Sequence, residues 1–151
     1  MVKNAFSFVS LLVAVGAVMY ARASARTARQ ANEIALRQNE IAIHNERLKI
    51  FKAFLDFRGK LRTQGASVSE RDLWMDFWPH AQLAEFYYSS ETSAELNKFI
   101  ALLKDEFFAF RELAENDSSY NQQTHAKYNE CMNLAGQIEE EMRKELKLVS
   151  Q

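Results

Sequence analysis

Hydrophobic positions follow three regimes along the chain. Residues 5–21, AFSFVSLLVAVGAVMYA, hold no charge. From residue 32 the apolar positions return every seven residues, in NEIALRQ at 32–38, NEIAIHN at 39–45 and ERLKIFK at 46–52. Beyond residue 70 they return at three- and four-residue steps, the period of helices that bury one face. The pattern predicts an all-α chain: an N-terminal transmembrane helix continuous with a long heptad-repeat helix, then a cytoplasmic antiparallel helical bundle. The boundaries fall at 1–22 for the anchor, 23–60 for the heptad helix and 61–151 for the bundle.

The apolar run is 17 residues long, or roughly 26 Å of helix against a hydrocarbon core of about 30 Å. Arg22, Arg26, Arg29 and Arg37 follow it, whereas Lys3 precedes it. Positive charge stays inside. A single pass through the inner membrane is therefore expected, with the N-terminus outside and the C-terminal domain in the cytoplasm. A cleaved signal peptide is the competing reading, because Lys3 makes a short basic start and Ala23, Ser24 and Ala25 fit a cleavage site. Arginines directly after the apolar run oppose export.

The repeat places Ile34, Ile41, Leu48 and Leu55 on one line and Leu36, Ile43, Ile50 and Phe57 on another. Two residues along a helix turn it by about 200°, so these lines lie on opposite flanks. Between them runs a line of small residues, Ser7, Ser10, Ala14, Ala17, Ala21, Ser24, Ala28, Ala31 and Ala35, which keeps its phase from the apolar run into the repeat. Small residues let helix backbones approach closely in lipid, and the same seam works in water as an alanine-rich coil. Two apolar flanks suit a ring of helices in which each touches two neighbours. The expected oligomer interface is Ser24, Ala28, Ala31, Ile34, Ala35, Leu36, Ile41, Ala42, Ile43 and Leu48; Ser7, Ser10, Ala14, Ala17 and Ala21 form the span interface or line a pore. One flank packing on the chain's own bundle is the plainer alternative.

In the bundle, Gly59 and then TQGASVS end the first helix, and Ser69 starts a short one through Trp74 and Phe77. Pro79 ends that helix or opens the next, which carries Leu83, Phe86 and Tyr87. Ser93 caps a long helix with Leu96, Phe99, Ile100, Leu103, Phe107, Phe110 and Leu113 on one face. Residues 116–119 form a loop. A last helix over 122–148 buries Tyr128, Met132, Ala135, Ile138, Met142 and Leu146. Trp74, Trp78, Phe99, Phe107 and Phe110 are expected to supply most of the buried area.

Charge narrows the partners. With 19 basic and 20 acidic residues the chain has no global field that attracts nucleic acid, so direct nucleic-acid binding is not expected. Four glycines and one proline leave little room for strands and tight turns. Cys131, the lone cysteine, excludes an intramolecular disulfide and reads as a small core residue. His80, His125 and Cys131 match no metal spacing, and there is no glycine-rich phosphate loop or nucleophile elbow. Arg37 and His44 match the Arg-to-His spacing of HEPN-type ribonucleases, but both sit inside the heptad repeat, where coincidence is the simpler explanation. The chain is read as a non-enzyme with no cofactor, metal or small-molecule substrate.

The order of parts, an apolar span, the helix NEIALRQNEIAIHNERLKIFKAFLDF, the segment DFWPHAQLAEFYYSSETSAEL and two long helices, resembles small single-span bacterial membrane proteins found beside phage-defence genes. It is similar in layout to the HEPN-like membrane accessory protein of RNA-targeting type VI CRISPR systems, which assembles as a multisubunit membrane pore. The resemblance implies a membrane-depolarising effector in antiphage defence: a homo-oligomer, as a ring of six or more, held in membrane lipid and acting with a cytoplasmic defence partner. It does not imply an active nuclease here, since no Arg-His pair falls in the bundle core. A membrane-tethered adaptor is the alternative, with an aromatic patch of Trp74, Trp78, Tyr87 and Tyr88 to receive its partner.

Overall fold

Gly65 decides where the first helix stops. In the structure, a computed structural model that describes the backbone of residues 2–148 and the side chains of residues 13–147, Gly65 takes φ +56°, a left-handed conformation that costs other residues a clash at Cβ. Helix α1 spans Val2–Gln64. Gly59, expected to end it, lies inside it: its backbone stays helical, and one glycine costs a helix only about 1 kcal/mol. A 3₁₀ turn, Gly65–Ser67, comes next.

Ser69 then caps α2, Glu70–Asp72, by accepting a hydrogen bond from the Arg71 N–H. A π-helical turn, Leu73–Phe77, leads into α3, Trp78–Tyr87. Pro79, which has no N–H to donate, sits in the first turn of α3, so the change of helix type falls where the ladder must lose a bond. Helix α4, Ser90–Ala101, a second π-helical segment, Leu102–Phe108, and α5, Ala109–Asn116, run end to end. Asp117 caps a 3₁₀ turn, Ser118–Tyr120, and α6 covers Asn121–Leu148. Among the described residues every element is helical and none is a strand.

The chain divides into two compact units, Met1–Ile41 and Ala42–Gln151. In the second, residues 42–64 of α1 are part of the core: Ile50, Phe54 and Leu61 have no exposed surface and Phe57 has 2%. The end of the segment expected as a separate heptad helix is thus a component of the bundle. Its rings meet those of the later helices. Phe54 lies 5.8 Å from both Phe77 and Phe99, and Phe57 stacks on Phe77 at 5.2 Å with the planes 10° apart. Rings in tilted, edge-on or offset contact add to what burial alone provides. Leu96, Leu103, Phe107, Cys131, Ala135, Ile138 and Met142 complete the centre.

Three expectations fail for local reasons. Ser89 caps α4, accepting from the Thr92 N–H, while Ser93 is buried and donates to the Ala84 carbonyl. On α3 the buried line continues from Leu73 and Phe77 through Ala81, Ala84 and Tyr88, so Leu83 and Phe86 point outward, 40% and 72% exposed. The second π segment fits an extra residue into a turn and rotates the residues beyond it. Phe107 and Phe108 are buried, but Phe110 is only half-buried and Leu113 is 46% exposed. Trp74 and Trp78 are also half-buried, packed edge-on at 4.9 Å.

Phe54, like Phe57, touches both Phe77 and Phe99 from α1, and it has no exposed surface. Replacing it with alanine is expected to destabilise the bundle by about 3–5 kcal/mol, read as a loss of urea midpoint in the full-length protein followed by circular dichroism.

Candidate self-association surface

Within the first unit the apolar side chains of α1 are uncovered. Val13, Val15, Val18, Met19 and Tyr20 are 50–78% exposed. Ala14, Ala17, Ala21, Ser24, Ala28, Ala31 and Ala35 are exposed as well. Ser7 and Ser10 lie outside the residues whose side chains are described. Among the described residues no helix is long and apolar enough to cross a membrane; of the expected span, the side chains of residues 5–12 fall outside them.

The heptad flanks remain open where they were expected to meet a partner. Ile34, Leu36 and Ile41 are 56%, 58% and 61% exposed. In the second unit Leu48 is 48% exposed and Ala42 exposed, whereas Ile43 and Leu55 are half-buried and Ile50 is buried. The Leu36 line therefore turns into the bundle core by Ile50, five residues before the Ile34 line becomes half-buried at Leu55. Isolated exposed leucines are ordinary on a protein surface; a row of them at fixed spacing is a candidate interface.

Arg37 is exposed and has no hydrogen-bond partner among the described residues. His44 is half-buried, and its Nδ1 is buried without a partner. Among the described residues no third group is hydrogen-bonded to either side chain to orient it for acid–base work. Among the described residues no three His, Cys, Asp or Glu side chains are placed to share a metal ion.

Polar contacts concentrate in the bundle. The Glu145 carboxylate accepts from the Ser89 N–H at 3.0 Å, the Ser89 hydroxyl at 2.7 Å and the Thr92 hydroxyl at 2.6 Å. It thus ties α6 to the N-terminus of α4, where the helix dipole favours an anion. Beside it the Tyr88 hydroxyl donates to the Arg47 carbonyl at 2.7 Å and the Arg47 Nε–H donates to the Tyr87 carbonyl. Burial first, and then the negative charge of Glu145, pushes the Tyr88 phenol well above its ordinary range. Sequence spacing carries no sign of this network, because the partners that join one helix to another lie 40 to 56 residues apart.

A cleft of about 630 Å³ runs along Lys49, Lys52, Asp56 and Lys60 of α1, facing Asp76 and His80. Lys60 closes on Asp76 at 2.6 Å, with Asp72 at 3.9 Å, and the hydrogen bond to Asp76 raises the Lys60 pKa. Tyr88 of the expected aromatic patch is buried, and Trp74, Trp78 and Tyr87 are half-buried. The exposed apolar surface of this region is instead Met75, Leu83 and Phe86.

No family model, curated protein or solved structure matches the chain. Its own residues carry the functional reading.

Cys131 is fully buried, and burial, reinforced by Glu130 and Glu106, pushes its thiol up to about 12. A raised thiol pKa means the fold favours the neutral form. That contribution to stability is complete below the ordinary cysteine range near about 8.5 and is lost as pH climbs from there toward about 12. At pH 8 iodoacetamide should leave the native protein unmodified while fully alkylating it in urea, as read by mass spectrometry; equal labelling would place the thiol at the surface.

Proposed function

We propose that the chain is a single-pass inner-membrane protein that self-associates through α1 and acts as an oligomeric membrane effector, with the helical bundle as its cytoplasmic part. The observation that carries this reading is the open line of Ile34, Ile41 and Leu48, 48–61% exposed, with Leu36 58% exposed on the opposite flank of the same seven-residue repeat. Large apolar side chains gain about 25 cal/mol for each Å² removed from water. Repetition at seven residues makes the same surface available along several turns, which suits a copy of the same helix better than an unrelated partner.

The membrane part of the proposal rests on 17 uncharged residues followed by Arg22, Arg26 and Arg29, and on the uncovered valines and methionine of residues 13–19. The small side chains at Ala14, Ala17 and Ala21 favour close packing of neighbouring spans in lipid. Pore formation and membrane depolarisation in antiphage defence extend this reading by the resemblance in layout. A membrane-tethered adaptor is the second reading. It is favoured by exposed Met75, Leu83 and Phe86 on one side of the bundle.

Disulfide trapping in native membranes tests the assembly. Ala35→Cys and Ala28→Cys should each give cross-linked dimers under mild oxidation, whereas Glu40→Cys, on the opposite side of the repeat from Ala35, should not; buried Cys131 stays silent. Absence of cross-links at Ala28 and Ala35, or equal cross-linking at Glu40, removes the proposed seam. Liposomes containing the protein leak a potassium gradient if the spans enclose a passage, and assembly without leakage favours the adaptor.

A further inference from the structure

Arg58, on the second-unit part of α1, forms an ion pair through Nη1 with Glu139 of α6. Arg143 reaches the same carboxylate, with Nη2 at 2.7 Å and Nε at 3.0 Å from Oε1. The Arg143 guanidinium also lies over the Phe51 ring, 5.3 Å from its centre. Two guanidinium groups are therefore held in place before any ligand arrives. Arg62, one turn beyond Arg58, lines the same cleft and has no hydrogen-bond or ion-pair partner among the described residues.

The charge count is uneven. Two guanidiniums, Arg58 and Arg143, pair with one carboxylate, a third, Arg62, lines the cleft beside it, and the next acid on α6, Glu140, is engaged by Lys144 at 3.5 Å. Glu139 is largely enclosed, its side chain 16% exposed, so it is already committed to Arg58 and Arg143. The Arg58 Nε is buried with no acceptor. A network serving stability alone needs one guanidinium for this carboxylate, and each further one adds repulsion.

The cleft has the size and floor for a small anion. It measures about 190 Å³ and is lined by Leu55, Arg58, Gly59, Arg62 and Glu139. A Cβ built at Gly59 would meet nothing within 4 Å, and one at Gly136 would meet only Arg58 Nη2, at 3.8 Å. The volume admits a phosphate group with some of its water and is too small for a nucleotide.

We propose that this cleft is a binding site for a phosphate group, gripped by Arg62 and Arg58, the two guanidiniums that line it. Guanidinium forks match tetrahedral oxyanions through paired hydrogen bonds, and Arg58 is ordered beforehand by Glu139, which lowers the entropy cost of binding. Free phosphate and a phospholipid headgroup present the same chemistry. This site does not depend on how, or whether, α1 self-associates.

Isothermal titration of the full-length protein in detergent separates the cases. Inorganic phosphate should bind at one site per chain, and Arg62→Gln should weaken it by about tenfold, the loss of roughly 1.4 kcal/mol, while leaving the unfolding temperature unchanged. Micelles doped with phosphatidic acid should compete with phosphate if a lipid headgroup is the natural source, and phosphatidylcholine micelles set the baseline. Competition assigns a lipid; phosphate binding without competition assigns a free anion. Absence of saturable binding by either ligand, or binding that Arg62→Gln leaves intact, overturns the site.

Discussion

The stacked and edge-on packing of Phe54 and Phe57 against Phe77 and Phe99 is the constraint on which the bundle depends. These rings come from three stretches of chain, and two of the four belong to α1. The bundle therefore cannot form without the last turns of the helix that carries the heptad repeat. Fixing α1 at residues 50–61 also decides which of its faces is spent on the core. Ile50, Phe54, Phe57 and Leu61 turn inward, and Leu48 remains half-exposed.

Hydrogen bonds then fix what the aromatic core leaves adjustable. Glu145 pins α6 to the start of α4, and Arg47 with Tyr88 ties α1 to the end of α3. Neutral and charge-assisted bonds of this kind contribute about 0.5–3 kcal/mol each when both partners are kept, and removing one partner costs the desolvation of the other. Their value lies in register as much as in energy. Each one places a helix end that hydrophobic burial alone would let slide.

Periodicity made the helices legible from sequence, along with the cap at Ser69, the break before residue 121 and the buried face of α6, where Ala135, Ile138 and Met142 are enclosed. It failed where the period itself changed. The π segment Leu102–Phe108 fits an extra residue into its turn, which turned Leu113 outward and buried Phe108; on α3 the buried line kept ordinary steps through Ala81 and Ala84, small residues that left Leu83 and Phe86 outside. Nothing in a run of three- and four-residue spacings announces such an insertion. The polar networks were equally hidden, because Arg58 and Glu139, or Ser89 and Glu145, become neighbours only through the fold. The heptad repeat was legible for the opposite reason: it recurs along the chain, so spacing alone displays it, and Ile34, Leu36, Ile41 and Leu48 are exposed in the single chain, whereas Ile43 is half-buried and Ile50 buried.

An exposed heptad surface, an apolar run followed by arginines and a bundle anchored on the same helix are joined by one claim, that α1 packs against copies of itself. The most direct test is the mass of the full-length, detergent-solubilised protein by light scattering, with the bound detergent subtracted. Six or more chains per particle is the predicted result and fits a ring of helices with two apolar flanks. A single chain per particle, stable across several mild detergents, would contradict it.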